Sequence, residues 1–319
     1  MMLSVIIPAR NEEFLRETVA DLLKNKRGET EIIVGLDGKW DDPKVPYHED
    51  VTVVYYPESI GQRAMTNQCV KLSKAKYVMK VDAHCAFDEG FDVKMVEAFK
   101  EVGDNVAMAP GMRNLWAYDW KCYTCGLRIY QDKEPICPPN KRHAEPVPMR
   151  KKMLWIAKTN PFSTAYCFDP EPHFQYHGDQ KKKQVGDIVE TMSLQGSAFM
   201  CTRDKYWELN ISDEDFGSWG SQGIEVACKF WLSGGRVMVN RKTWYAHMFR
   251  TKPSFSFPYD LSGRQVQHAK RLAKDLFFNN KWSKAIHPLS WLVEKFLPVP
   301  GWTPEKIAEL KSMENVSPK

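Results

Sequence analysis

The sequence lacks several features that would assign it to a simple class. It has no apolar stretch approaching the roughly 20 residues that a membrane-spanning helix requires. Its first residues, MMLSVIIPARNEE, become charged after a few apolar positions, so they do not read as a signal peptide. Neither sign of charge dominates, since 45 basic and 40 acidic residues leave a net charge of +5. Internal repeats and low-complexity tracts are lacking too, and together these absences predict a folded cytoplasmic protein without a transmembrane segment.

Cysteine is present without the pattern of a disulfide scaffold. Eight cysteines in 319 residues are consistent with free thiols in a reducing compartment. Cys122-x-x-Cys125 with Cys137 and His143 has loose zinc-site spacing, but the second Cys-x-x-Cys pair of a strong structural site is missing. The spacing therefore favours buried thiols, and zinc binding by these residues stays open.

The first hundred residues alternate between short apolar runs and helical patterns. The predicted strands have continuous apolar stretches, which is typical of a parallel sheet covered by helices on both faces. Helices are predicted between them from Asn11 to Asn25 and from Gly61 to Lys74. The predicted strands are Leu3–Pro8, Glu31–Leu36, Val51–Tyr56 and Lys76–Val81.

Polar residues follow three of these strands directly. Pro8-Ala9-Arg10, Asp37-Gly38 and Asp82-Ala83-His84 all fall at strand carboxyl ends. Ligands of parallel sheets bind beyond the carboxyl ends of the strands, so one site is expected to collect all three segments. In Asp82-Ala83-His84, side chains two positions apart on an extended segment point the same way and can share one cation. A mixed oxygen and nitrogen ligand set suits manganese-like ions.

The middle of the chain is the least regular part. From about residue 113 to 184 the alternation fades, and residues 141–183 hold nine basic but only four acidic side chains among many aromatics. Such a surface is usually only solvated, yet aromatic rings between basic residues also suit nucleic-acid binding. Regular patterns return later, with an amphipathic helix predicted over Gly263–Phe278.

Two segments resemble a known family. VDAHCAFDEGFDVKMVE at residues 81–97, and QGSAFMCTRDKYWELNISDEDFGSWGSQGIEVACKFWLSGG with the later HMFR within residues 195–250, are similar to the polypeptide N-acetylgalactosaminyltransferases and the wider family 2 glycosyltransferases. SVIIPARNEE looks like the opening of the same family. The resemblance implies an α/β GT-A fold with a mainly parallel central sheet, an irregular insert and a helical C-terminal tail.

The resemblance also implies a donor site and a metal site. The donor is a nucleotide-sugar, most simply a uridine diphosphate sugar, and the cofactor is a divalent ion, Mn²⁺ before Mg²⁺. The implied metal ligands are Asp82, His84 and His247. The implied donor-binding residues are Pro8, Arg10, Glu12, Asp37, Arg63, Asp82 and Trp219.

One departure from the family pattern concerns catalysis. The family's Trp-Gly-Gly-Glu-Asn appears here as Trp219-Gly220-Ser221-Gln222-Gly223, and an amide orients a hydroxyl but cannot act as a general base. Gln222, Glu225 and Asp213 are therefore the candidate catalytic residues, with the identity of a base left open. Trp219-Gly220 could equally be core packing followed by a turn.

These features predict a metal-dependent glycosyltransferase whose acceptor is a hydroxyl, with a hydroxylated DNA base favoured because of the basic insert and Lys270, Arg271 and Lys274. A saccharide or lipid-linked acceptor, a catalytically silent sugar- or DNA-binding module, and membrane docking through Trp291-Leu292 and Phe296-Leu297 are the alternatives. The expected organisation is a nucleotide-sugar-binding half (1–112), an insert for the acceptor (113–189), an acceptor and catalytic half (190–250) and a helical extension (251–319).

Overall fold

The computed structural model describes residues 1–250, 259 and 263–316. The parts of the expected extension at 251–258, 260–262 and 317–319 lie outside the described residues. The strands are β1 (Leu3–Ala9), β2 (Thr30–Asp37), β3 (Val51–Tyr56), β4 (Tyr77–Val81), β5 (Cys85–Phe87), β6 (Val106–Lys121), β7 (Arg128–Tyr130), β8 (Ile136–Cys137), β9 (Val147–Pro148), β10 (Arg150–Ser163), β11 (Tyr166–Phe168), β12 (Phe174–Tyr176), β13 (Ile188–Glu190), β14 (Ala198–Thr202) and β15 (Arg236–His247). The helices are α1 (Leu15–Asn25), α2 (Gln62–Leu72), α3 (Phe91–Val102), α4 (Gly178–Lys183), α5 (Arg203–Glu208), α6 (Gln222–Leu232), α7 (Gly263–Ala273), α8 (Leu289–Lys295) and α9 (Pro304–Val316), with a 3₁₀ turn at Glu214–Phe216 and a π-helical turn at Lys274–Phe278.

One large sheet organises the molecule. Its strands run in the order β13-β15-β6-β14-β4-β1-β2-β3, and β5, β7 and β10 pair at its side. The pairs β3-β2, β2-β1, β1-β4 and β15-β6 are parallel, while β14 runs antiparallel between β4 and β6. The four strands predicted from the first hundred residues are confirmed. The apolar runs of β1, β2 and β4 are continuous because both faces of the sheet are covered there, whereas β3 at the edge leaves Val53 and Tyr55 exposed.

Two apolar layers hold this sheet between helices. On one face, Ile6 and Ile33 pack with α2, α6 and the C-terminal helices. On the other face, Val5 and Ile7 pack with α1 and α3. Helix α2 lies so close to β2 that a Cβ atom at Gly35 would stand 2.4 Å from the sulfur of Met65. The predicted α/β architecture with helices on both faces is confirmed.

The first helix begins later than the sequence pattern indicates. Asn11 has a positive φ of 48°, and the chain turns there before α1 starts at Leu15. Glu12 lies within this turn and is only 8% exposed. The turn therefore places an acidic side chain inside the molecule, at the carboxyl end of β1, instead of on a helix surface.

The insert contains a long stretch of regular structure in addition to its irregular segments. β6 and β10 are 16 and 14 residues long and form a long antiparallel ribbon. Basic side chains lie over aromatic rings on this ribbon: Lys151 Nζ is 4.1 Å from the ring centre of Tyr118, and Lys158 Nζ is 2.9 Å from that of Trp116. These cation–π pairs take the place of the alternating apolar face by which a strand is recognised in a sequence.

The C-terminal helices pack onto α6. Trp291 contacts Trp231 edge to face, and Leu292 and Phe296 are buried in the same core. Burial makes Leu292 and Phe296 unavailable for membrane docking, whereas Leu297 of the same predicted surface is 41% exposed. No helix among the described residues is both long enough and apolar enough to cross a membrane. The predicted helix from Gly263 is confirmed as far as Ala273 and continues as the π-helical turn.

Candidate active site

A cavity of about 540 Å³ opens at the carboxyl ends of β1 and β4. It collects two of the three strand-end segments that were expected to share one site, and Asp37-Gly38 is not among the described residues that line it. Its lining residues include Pro8, Arg10 and Glu12 after β1, Lys80, Asp82 and His84 around the end of β4, Gln195–Ser197 before β14, Trp219–Ile224 at the start of α6, and His247–Arg250 at the end of β15.

Three potential metal ligands meet in this cavity. Asp82, His84 and His247 each offer a ligand atom, and these atoms all lie within 4.8 Å of one another. The Nε2 atoms of the two histidines are 3.1 Å apart, and His247 Nε2 is 3.2 Å from Asp82 Oδ2. Strand β15 carries His247 to this point because it pairs with β5, which follows His84 directly. His247 lies more than 160 positions after Asp82 and His84 in the sequence, and strand pairing brings it beside them.

Glu12 orients the first of the two histidines. Its Oε2 lies 3.0 Å from His84 Nδ1 and 2.6 Å from the guanidinium of Arg250. When Nδ1 of His84 carries the proton and donates a hydrogen bond to Glu12, the Nε2 atom of His84 keeps its lone pair. That lone pair faces His247 and Asp82. A carboxylate behind an imidazole is the usual support of a metal-binding histidine. Burial raises the pKa of Glu12, but His84 and Arg250 outweigh it and hold this pKa below its ordinary value.

Lys80 gives the carboxylate of Asp82 a fixed position. Its ammonium, only 2% exposed, pairs with Asp82 Oδ1 and donates a 2.8 Å hydrogen bond to the carbonyl of Gly196. Burial alone would raise the pKa of Asp82, but Lys80 and the two histidines hold it well below its ordinary value. The carboxylate is thus negatively charged, with its other oxygen free to face His247.

His247 is suited to bind a cation as a neutral imidazole. Burial, together with the positive surroundings, lowers its pKa to about 4, although Asp82 acts in the opposite direction. Its Nδ1 atom is buried and has no hydrogen-bond partner among the described residues. Two imidazole nitrogens and a carboxylate oxygen pointing at one another form a donor set that fits a divalent ion such as Mn²⁺. The predicted metal ligands are thus brought together.

A tight turn forms the opposite wall of the cavity. Gly217, Gly220 and Ser221 all have positive φ, and α6 begins directly after them. A Cβ atom at Gly223 would lie 1.9 Å from the carbonyl oxygen of Leu194, so only glycine allows α6 to approach that loop. Gln222 and Trp219 line the cavity from this turn, and Gln222 Nε2 donates to Ser212 Oγ at 3.3 Å.

Glu225 and Asp213 are not placed to act as catalytic bases. Glu225 is completely buried and pairs with Arg63 and Lys229 at 3.0 Å each. Asp213 pairs with Lys229 at 3.2 Å and accepts the backbone N–H of Asp215. Neither carboxylate is among the described residues that line the cavity. The prediction that Glu225 or Asp213 is a catalytic base is therefore corrected. Both carboxylates have a structural role as partners of buried cations.

Arg63 belongs to the same buried network. Its guanidinium donates to Glu225 and to the carbonyls of Gly217 and Gly220, and it lies over the ring of Phe216. It is 1% exposed and therefore has no surface to offer a nucleotide. Arg63 instead ties α2 to the glycine turn that forms the cavity wall.

Asp37 also differs from its predicted role. Its carboxylate is buried and accepts hydrogen bonds from the Ser59 hydroxyl and from the backbone N–H groups of Ile60 and Gly61. These bonds fix the loop that enters α2. A direct contact with the base or ribose of a donor has no support in this geometry, since the carboxylate oxygens are already used.

Sequence reasoning missed Lys80 and Arg250. Lys80 stands two positions before Asp82 and four before His84. Side chains at this spacing on an extended strand point the same way, and this alternation is the signal that could have identified Lys80. Arg250 follows His247 in the HMFR segment that carried the resemblance. Its contact with Glu12 depends on β15 meeting the turn after β1, which no local pattern shows.

The fold and site define an α/β protein that can hold a divalent cation and an anionic ligand at the ends of its strands. The family model described as Glycosyl transferase family 2 matches residues 4–168, which is half of the chain. The chain belongs to glycosyl transferase family 2.

Similar proteins agree with this membership. A Drosophila melanogaster protein that carries the name polypeptide N-acetylgalactosaminyltransferase 13 is 24% identical over 250 residues, which cover 78% of this chain and 37% of that protein. Human polypeptide N-acetylgalactosaminyltransferase 3 is 28% identical over 90 residues, 28% of this chain and 14% of its own. The present chain thus spans well under half the length of these relatives.

Solved structures share the fold. GalNAc-T7 with UDP, GalNAc and Mn²⁺ superimposes with a TM-score of 0.61 at 14% identity, covering 98% of this chain and 55% of that one. S. aureus TarS 1-349 in complex with UDP-GlcNAc gives 0.54 at 14% identity, covering 92% of this chain and 69% of that one. The GT-A fold implied by the sequence resemblance is confirmed.

Proposed function

We propose that the protein is a metal-dependent glycosyltransferase that moves a sugar from a nucleotide diphosphate, most simply UDP, to a hydroxyl acceptor. The observation that carries this proposal is the meeting of Asp82, His84 and His247 in a cavity at the carboxyl ends of the parallel strands. A divalent ion held there would neutralise the charge of the diphosphate leaving group. UDP appears with relatives of this fold in both structures compared above, and Mn²⁺ in one of them.

Pro8, Arg10 and Glu12 are assigned to the donor side because they line the cavity beside the three metal ligands. Glu12 acts through His84 and Arg250 and does not need to touch the donor. Arg10 and Arg250 supply positive charge next to the diphosphate. Trp219 lies on the opposite wall, where it offers an apolar ring to the sugar or the acceptor.

The acceptor proton needs a destination other than Glu225 or Asp213. Among the described residues that line the cavity, the carboxylates are Glu12 and Asp82, and both are engaged by cations and histidines. We therefore assign the proton to a phosphate oxygen of the departing nucleotide. The bond between the anomeric carbon and that phosphate breaks, the bond to the acceptor oxygen forms, and Gln222 orients the acceptor hydroxyl.

The transfer is tested with a panel of nucleotide sugars and candidate acceptors in the presence of Mn²⁺. The expected result is release of the nucleoside diphosphate with one preferred donor, detected by mass spectrometry, and loss of release in excess chelator. A catalytically silent binding module would instead bind the nucleotide without any turnover. That outcome would contradict the proposal, and so would release of the nucleoside diphosphate at the same rate with and without the chelator.

Replacing Gln222 with Ala tests the acceptor wall. A neutral hydrogen bond contributes about 0.5–1.5 kcal/mol, so kcat should fall by roughly 2- to 12-fold while the affinity for UDP stays unchanged. Steady-state kinetics and calorimetry measure the two quantities separately. Gln68→Ala on α2, outside the cavity, is the matched control and should leave both unchanged. A loss of UDP affinity in Gln222→Ala with normal kcat would place Gln222 on the donor side instead.

A nucleic-acid acceptor remains a prediction from the charge of the insert. Several of the basic side chains are already engaged, since Lys151 pairs with Glu13, Lys182 with Asp179 and Lys274 with Glu171. Lys270 does line the cavity and is the best candidate for a phosphate contact there. The relatives' names give no support to a DNA acceptor, and a saccharide or lipid-linked acceptor is an equal candidate.

Salt dependence distinguishes these acceptors. If six phosphates are contacted, affinity for single-stranded DNA should fall roughly 300-fold between about 50 and 200 mM salt. Lys270→Glu should weaken binding, whereas Lys311→Glu on the distant helix α9 should not. Fluorescence anisotropy with labelled single-stranded DNA measures both. Absence of binding at low salt would remove DNA as the acceptor and leave the transferase proposal standing.

A further inference from the structure

A second cluster of metal-ligating side chains lies at the end of the ribbon formed by β6 and β10. Cys122 follows β6, Cys125 lies in the next turn, Cys137 belongs to β8, and His143 precedes β9. Their ligand atoms all lie within 4.8 Å of one another. This cluster is separate from the cavity, since none of its members is among the described residues lining it.

We propose that Cys122, Cys125, Cys137 and His143 bind one structural zinc ion. Three thiolates and one imidazole form a complete ligand set for a closed tetrahedral site. With zinc–sulfur distances near 2.3 Å and a zinc–nitrogen distance near 2.0 Å, the sulfur–sulfur edges of such a tetrahedron measure roughly 3.8 Å and the sulfur–nitrogen edges roughly 3.5 Å.

The observed spacings are close to those edges. Cys125 Sγ and Cys137 Sγ are 3.5 Å apart, Cys137 Sγ and His143 Nε2 are 3.4 Å apart, and Cys122 Sγ and His143 Nε2 are 3.7 Å apart. A disulfide would need two sulfurs at about 2.05 Å and would leave the other two side chains unexplained. Convergence of all four groups favours a metal over a disulfide.

The surroundings prepare these side chains for a metal. His143 Nδ1 lies 2.8 Å from the carbonyl oxygen of Glu145, to which it donates, so its Nε2 atom carries the lone pair and lies beside the sulfurs and 2.9 Å from the Asn140 amide nitrogen.

A metal would also explain how this end of the ribbon stays folded. The fully buried apolar side chains of its own small cluster are Cys122, Cys137 and Met149. So few apolar groups cannot balance the conformational entropy of the 28 positions from 122 to 149, whereas a structural zinc ion contributes folding free energy directly. Zinc would take the place of a hydrophobic core there.

Metal analysis of the full-length protein purified without chelator tests this proposal. We expect one zinc per chain, and an X-ray absorption spectrum of that zinc with sulfur neighbours near 2.3 Å and nitrogen near 2.0 Å. Replacing zinc by Co²⁺ should give a thiolate-to-metal charge-transfer band, which the oxygen and nitrogen ligands of the cavity cannot produce. His247→Ala should retain the sulfur-bound zinc, because His247 belongs to the cavity and not to the cysteine cluster. A failure of the proposed function would therefore leave this result unchanged.

The variants Cys125→Ser and Cys137→Ser should lose the sulfur-bound zinc. Cys228→Ala, at a buried cysteine of α6 outside the cluster, is the matched control and should keep it. If the serine variants fail to fold, limited trypsin digestion of the wild-type protein still decides: cleavage after Lys141 or Arg142, both exposed, should accelerate at least tenfold when zinc is removed. A Cys125–Cys137 disulfide, bound iron, or a protein without zinc whose cleavage rate ignores the metal would overturn the proposal.

Discussion

Replacing Asp82 with Ala is expected to lower turnover by at least a hundredfold. Stabilisation of a leaving diphosphate by a bound ion is worth several kcal/mol, and each 1.36 kcal/mol corresponds to a factor of ten in rate. Asp82 supplies the carboxylate that faces His247, so its loss removes the negatively charged ligand from the site. Initial rates of nucleotide release at saturating Mn²⁺ measure the effect.

The control for this prediction is Asp88→Ala. Asp88 follows β5, pairs with Lys94 at 2.7 Å and is not among the described residues lining the cavity. It should keep the turnover of the original protein. Thermal unfolding of both variants checks that the loss at Asp82 is not a loss of folded protein, because Lys80 would retain only its bond to the Gly196 carbonyl. Full turnover in a folded Asp82→Ala variant would contradict the assignment.

Replacing Glu225 with Ala should lower the free energy of unfolding by about 3–5 kcal/mol, because the buried Arg63 then loses its counter-charge and Lys229 keeps only Asp213. Arg63 and Lys229 are both 1% exposed and cannot turn outward to water. Urea denaturation followed by tryptophan fluorescence measures the change. The cost is expected with or without metal and nucleotide, since Glu225 lies outside the cavity lining.

Glu208→Ala provides the comparison. Glu208 is an exposed residue of α5 that pairs with Lys205, and surface pairs of this kind contribute about 0–1 kcal/mol. Normal stability in Glu225→Ala together with lost turnover would instead support Glu225 as the base. The two outcomes therefore separate a structural carboxylate from a catalytic one.

The sequence is most informative where one strand decides the geometry. Continuous apolar runs predict the parallel strands correctly, and the rule that ligands bind at strand carboxyl ends brings Arg10 and Asp82 to one cavity. His247 is found through its place in a family pattern, because a lone histidine far along the chain carries no local signal. Its position depends on β15 pairing with β5.

The sequence is least informative where a contact depends on how one element packs against another. Glu225 lies one helical turn beyond Gln222, and α6 runs from the cavity into the core. Gln222 therefore reaches the cavity, while Glu225 meets Arg63 from α2 instead. Spacing within α6 shows that the two residues are close but cannot show what covers the second one.

The ribbon and its cysteines show the same limit. Its strands replace apolar alternation with basic and aromatic pairs, so periodicity predicts an irregular segment. The spacing of the cysteines favours buried thiols because the second Cys-x-x-Cys pair is missing. The return of the chain through β8 and β9 is what brings Cys137 and His143 to the first pair.

Calorimetric titration with UDP, in Mn²⁺ and again in excess chelator, tests the central claim most directly. Binding is expected in Mn²⁺, with affinity for UDP lower by about a hundredfold or more without the metal, since the diphosphate charge would then lack its counter-ion. In Mn²⁺, the affinity of His247→Ala for UDP should be as low as that of the original protein in excess chelator. Equal affinity for UDP under all three conditions would contradict a metal-dependent nucleotide site formed by Asp82, His84 and His247.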